Sequence, residues 1–186
     1  STEGLFKHLS RYALFDKVDL TDVSSERVVI SVWGPTAQAA LAAIGAPSPS
    51  GDAQLDHCTA QWEGSELVVA RNDFAGLPGW DLIVLREGAV TLLNALADAD
   101  AKPVCDAVVE QLRVEAGVPL YGSDLGESTI PLEAGLEERA ISFDKGCYMG
   151  QEVIARISHR GRPARHLCGL RFPAGTLADS VSLPVP

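Results

Sequence analysis

Apolar positions along the chain alternate between two periods, and the period in force at each point predicts the element there. From Leu5 to Val18 the spacing is near-helical, with Leu5, Leu9, Tyr12 and Ala13 gathered on one side before an extended stretch. Arg27–Trp33 (RVVISVW) is β-branched and strand-like, and stops at Gly34-Pro35. Proline suits the first turn of a helix, so Thr36–Ile44 is expected to be helical and to end at Gly45. Two strands, Cys58–Trp62 and Glu66–Arg71, are expected about a turn at Glu63-Gly64-Ser65. After the loop Gly76–Gly79 comes a strand, Trp80–Leu85, and then a helix over Ala89–Ala99. A short strand at Lys102–Val104 and a helix over Asp106–Ala116 follow. The resulting order, β-α-β-β-β-α-β-α, is that of an α+β two-layer unit with sheet on one side and helices on the other.

Beyond this unit the pattern loosens. Pro119–Gly135 is rich in Gly, Pro, Ser and Asp and reads as an ordered loop. Ala140–Phe143 is strand-like, Tyr148–Ile157 is helical, and Leu167–Phe172 looks like a strand opening a new element. The expected organisation is therefore an α+β domain over residues 1–158 and the start of a second element over 159–186.

Composition places these elements in an ordinary globular chain: 186 residues, 46% hydrophobic and 22% charged, with no low-complexity tract. No apolar run approaches the roughly 18–20 residues that span a bilayer. Cys58, Cys105, Cys147 and Cys168 lie far apart, with no C-x-x-C pair and no zinc-type spacing. That pattern points to reduced thiols in a cytoplasmic setting and to no preformed metal site. A net charge of −10 argues against direct nucleic-acid binding through the overall field. The charge is uneven, however. Arg156, Arg160, Arg162, Arg165 and Arg171, with His159 and His166, occupy a stretch that holds no acidic residue between Glu152 and Asp179. Such a stretch is either a solvated face or a local site for phosphate or carboxylate anions.

Two residues stand out chemically. Cys147, in Asp144-Lys145-Gly146-Cys147-Tyr148-Met149-Gly150, is expected at a helix N-terminus beside Lys145, where both orphan amides and a positive charge favour thiolate. The other reading is a small buried hydrophobe, which free cysteines usually are. Asp81 follows Trp80 inside an apolar strand. It is either the outward residue of a half-buried strand or a grip for a donor-rich heterocycle. Walker-type loops, G-x-G-x-x-G loops and a Ser/His/Asp constellation are absent.

Longer stretches carry a family resemblance. Arg113-x-Glu115-Ala116-Gly117-x-Pro119-Leu120-Tyr121-Gly122-x-Asp124, then Pro131–Leu136, resemble the superfamily of the glycine cleavage T-protein, an aminomethyltransferase. Gly79–Val84 resembles its G-[YF]-E-I-x-V strand. Lys145-Gly146-Cys147-Tyr148-x-Gly150-Gln151-Glu152, with Ala155-Arg156, Arg160-Gly161 and Arg165, is similar to the YgfZ branch of folate-binding proteins. The departures matter too. Asp81 stands where T-proteins carry glutamate, Val109 where they carry an arginine, and Phe74–Leu77 where they carry a Tyr-Thr-Gly-Glu loop. A hydrocarbon cannot replace a guanidinium, so Val109 counts against aminomethyl transfer.

The resemblance implies a tetrahydrofolate-binding protein of the YgfZ type, linked to iron–sulfur protein assembly or repair and to tRNA modification that depends on it. It implies Cys147 and Lys145 as the reactive pair. Asp81, Trp80, Glu115, Tyr148, Gln151 and Arg156 would contact the folate. It also implies a longer protein, of which this chain is an internal piece entering a C-terminal β-barrel near Leu167. The alternatives are a folate-dependent aminomethyltransferase and a non-catalytic interaction module that docks an acidic partner.

Overall fold

The computed structural model describes residues 2–13 and 17–171, apart from the side chain of Arg160. Its first helix, α1, spans Thr2–Ser10. The β-branched and aromatic runs form four strands: β1 Arg27–Trp33, β2 His57–Trp62, β3 Ser65–Arg71 and β4 Gly79–Leu85. They make one antiparallel sheet in the order β1-β4-β3-β2. The β2–β3 hairpin turns through Glu63 and Gly64, both at positive φ (47° and 79°), the backbone a tight two-residue turn requires.

Side-chain alternation divides the sheet into two unlike faces. Leu67, Val69, Leu82 and Val84 point inward and are fully buried, beside Trp80. Helix α2 (Ala37–Ala43) and helix α3 (Ala89–Asp98) supply Ala37, Leu41, Leu92 and Leu96 to the same cluster. Burying each such leucine contributes about 1.5–3 kcal/mol. The Trp62 indole N–H donates to the Ile44 carbonyl at 2.8 Å, tying the edge strand to the end of α2. This is the expected α+β arrangement.

The chain divides into two compact units between Cys105 and Asp106. The second carries α4 (Asp106–Glu115), a 3-10 turn at Pro131–Ala134, α5 (Glu137–Ala140) and α6 (Gln151–Arg160). Among its described residues the buried ones are few: Leu132, Ala134 and Ile154, with the charged Arg113 and Glu133.

Four expectations are corrected. Lys102–Val104 is not a strand: Pro103 lacks a ladder donor, and Lys102 turns back to Asp100 at 2.5 Å. Ala140 closes α5, whose Leu136 carbonyl accepts its amide at 2.8 Å, and Ile141–Phe143 forms no strand. The last helix begins at Gln151, not Tyr148, because Gly150 enters it at φ 88°. Residues 167–171 form no strand; the Leu167 amide instead donates to the Glu133 carbonyl at 2.8 Å. Phe172 and the rest of the expected barrel start lie outside the described residues.

Candidate functional site

The sheet face opposite the helices carries the best-defined polar constellation of the first unit. Register sets Ser31 directly across from Asp81, with Ala70 on the other side. The Ser31 hydroxyl donates to Asp81 Oδ1 at 2.5 Å, and Asn72 Nδ2 donates to Asp81 Oδ2 at 2.7 Å. Each carboxylate oxygen thus holds one donor and keeps acceptor capacity for another. Two residues along β1, Trp33 faces the same side and stacks on Phe74, ring centroids 4.7 Å apart. Asp81 is half-buried: it is the outward residue of a half-buried strand, and its carboxylate is fixed by two side-chain donors.

Trp80 lies on the opposite side of the strand. It is 3% exposed in the core, with the Arg71 guanidinium 4.8 Å from its ring centroid. Arg71 in turn pairs with Asp73 at 2.5 Å, which holds the Asp73 carboxyl below its ordinary value. Asp73 also accepts the Gly79 amide at 3.0 Å, closing the loop that carries Asn72.

In the second unit, the Arg-x-Glu-Ala-Gly element is built around Arg113. The residue is 7% exposed, and its guanidinium donates to both Glu110 oxygens at 2.5 and 2.8 Å, to Asp124 at 2.5 Å and to the Val118 carbonyl at 2.7 Å. These bonds raise the guanidinium pKa above its ordinary value and lower that of Glu110. Asp124 is lowered first by the Leu120 amide and then by Arg113. Glu115 is exposed and accepts from Gln111 at 2.7 Å. Glu133 is held below its ordinary value by the Ile130 amide and then by Arg165, whose guanidinium lies 3.3 Å away.

The Lys145–Glu152 motif forms the approach to α6. Cys147 is exposed, so it is not the buried hydrophobe, and it sits four residues before the first helical residue instead of at the helix start. The helix N-cap is Gly150, and Gln151 Oε1 reaches back to accept the Tyr148 amide at 2.9 Å. The Lys145 ammonium rests 4.9 Å from the centroid of the half-buried Tyr148 ring. Beside this segment is a cavity of about 370 Å³, lined by Ile130, Ile141, Tyr148, Met149 and Val153 among others. Arg156 is exposed on α6, and the other described side chains of the basic stretch are exposed too, except that Arg165 reaches Glu133.

Ser31 and Asn72 were not singled out from sequence. A signal for Ser31 exists: it interrupts VVI-S-VW as Asp81 interrupts W-D-LIVL, and two polar breaks in apolar strands are natural cross-strand partners. Among the described residues no group of His, Cys, Asp or Glu gathers to hold a metal ion, and no helix is long and apolar enough to cross a membrane.

Fold and site together define an α+β protein that displays a fixed acidic acceptor on one sheet face. Residues 1–145 match the family model described as the GCVT N-terminal domain, and the chain belongs to that family. Among its relatives, an aminomethyltransferase of Picosynechococcus sp. is 29% identical over 96% of this chain and 49% of its own length. Aminomethyltransferases of Parafrankia sp. and Chlorobium chlorochromatii are 32% and 33% identical, over 83% and 88% of this chain and 42% and 45% of theirs. The chain therefore spans less than half the length of these curated relatives.

Proposed function

We propose that this chain is the pterin-gripping part of a tetrahydrofolate-dependent one-carbon transferase. The observation that carries this reading is the Asp81 carboxylate, held at both oxygens by Ser31 and Asn72 with acceptor capacity left over. A pterin ring presents adjacent N–H donors, which a fixed carboxylate accepts as a pair. The Trp33–Phe74 stack on the same face offers an apolar border for a flat ring. Bound tetrahydrofolate would supply the nitrogens that take up a one-carbon unit, one in its reduced ring and one in the amine beside it. The names of the relatives support aminomethyl transfer as its class. The deciding experiment uses the full-length protein: tetrahydrofolate binding by calorimetry, and methylene-tetrahydrofolate formation from an aminomethyl donor. Binding with turnover is the expected result. Absence of heat and of a thermal shift would sink the reading and favour an interaction module.

A second reading, folate binding and delivery of the YgfZ type, has its own support. Val109 is a half-buried hydrocarbon in α4 where T-proteins carry arginine, and Cys147 is exposed beside Lys145. In this reading Cys147 is the reactive centre, Glu115, Tyr148, Gln151 and Arg156 lie toward folate, and the partners are iron–sulfur proteins in the cytoplasm. The boundary at residue 158, with a barrel beyond it, belongs to this longer protein. Cys147→Ala in the full-length protein should abolish complementation and leave folate affinity nearly intact. Unchanged complementation would remove the thiol from the mechanism.

A further inference from the structure

Asp81 could have been left to rotate freely, because the terminal torsion of a carboxylate is broad and shallow. The segment before β2 and the loop after β3 prevent this. Gln54, in the segment before β2, accepts the Asp73 amide with Oε1 at 3.1 Å. That bond decides which end of the Gln54 amide is which, so its Nε2 faces Asn72 Oδ1, at 2.9 Å. With its oxygen occupied, Asn72 must turn Nδ2 toward Asp81, where it lies 2.7 Å from Oδ2. The Asn72 backbone is itself pinned, its amide donating to the Gly79 carbonyl at 2.9 Å. Donor and acceptor order therefore runs without conflict from a backbone amide, through two side-chain amides, to the carboxylate.

We propose that Gln54 and Asn72 are positioning residues that aim the Asp81 carboxylate at its ligand. The proposal rests on the folate reading above and deepens it. Gln54 is exposed and Asn72 half-buried, and a bond between amides that reach the surface adds little to stability; what the relay yields is orientation before binding. It also accounts for an aspartate serving where a longer glutamate is the superfamily pattern, since a short side chain has less freedom to find its ligand and gains more from being aimed.

The test is a double-mutant cycle on the full-length protein, reading tetrahydrofolate affinity by calorimetry and folding by thermal midpoint. Asn72→Ala should weaken binding about tenfold and Gln54→Ala about threefold, with midpoints close to the parent. Asn72→Asp, which replaces the donor by a like charge, should weaken binding more than Asn72→Ala. In an Asp81→Ala background Asn72→Ala should cost nothing further, because its effect passes through the carboxylate. Unchanged affinity in Asn72→Ala, or losses that add, would overturn the relay while leaving Asp81 as the grip. Unchanged affinity in Asp81→Ala would overturn the grip and the relay together.

Discussion

At the scale of single residues, Gly79 shows how little room surrounds the site. A Cβ there would lie 2.1 Å from Trp33 Cδ1, 2.9 Å from the Asn72 carbonyl and 3.0 Å from the Val32 carbonyl. Two of these neighbours are backbone and cannot swing aside, so the Trp33 indole would have to move off Phe74. Gly79→Ala should therefore cost about 1–3 kcal/mol in chemical denaturation and change the tryptophan emission. A parent-like midpoint with unaltered emission would show that the strand pair relaxes instead. Arg113 makes a different demand. Its fork is filled by four oxygens, a pattern that an ammonium cannot reproduce. Arg113→Lys should lower the thermal midpoint nearly as far as Arg113→Ala, while Glu115→Ala, at an exposed position two residues on, should leave it in place. Rescue by lysine would reduce the cluster to simple charge pairing.

Elements divide by what their sequences could announce. The four strands were legible because β-branched runs are bounded by Gly, Pro and turn residues, and the helices on the sheet were legible from alanine- and leucine-rich spacing. Leu82→Ala, at a fully buried position of β4, should cost about 2–5 kcal/mol. Val29→Ala, on the outer face of β1, should stay within about 0.5 kcal/mol in the same denaturation series. Equal losses would mean that the outer face is covered in the folded protein. What was not legible depended on partners distant in sequence or on local capping. α6 begins at Gln151 because Gly150 enters it at positive φ, which leaves Cys147 off the helix, and Gln151 reaches back to accept the Tyr148 amide. Leu167 reads as a strand by composition, yet its amide is taken by Glu133, which lies far back in the chain. The candidate site divides in the same way. Asp81 stands out as a polar break in an apolar run, whereas Gln54 and Asn72 look like ordinary loop residues until the β2–β3 and β3–β4 registers bring their amides into line.

At the scale of the whole molecule, the two units are held by different forces, and acid should separate them. The first unit rests on a continuous apolar cluster from Ala37 to Leu96. Its depressed carboxylates, Asp22, Asp73 and Asp100, sit in turns and loops, so their protonation leaves that cluster seated. Among its described residues the second unit buries few apolar side chains, and it is tied through Glu110 and Asp124 on Arg113 and through Glu133 on the Ile130 amide and Arg165. All three carboxylates titrate below their ordinary values when folded. Each therefore adds stability above the unfolded pKa, about 3.9–4.3, and that contribution disappears as pH falls through the depressed folded value. Between neutral pH and about pH 3, amide protection over 110–133 should be lost ahead of protection over β3 and β4. Glu133→Gln cannot ionise, so it should weaken the second unit at neutral pH and flatten the acid dependence of what remains. Simultaneous loss of protection in both units would show that they unfold as one, and a Gln variant with parent-like acid dependence would remove Glu133 as a source of the effect.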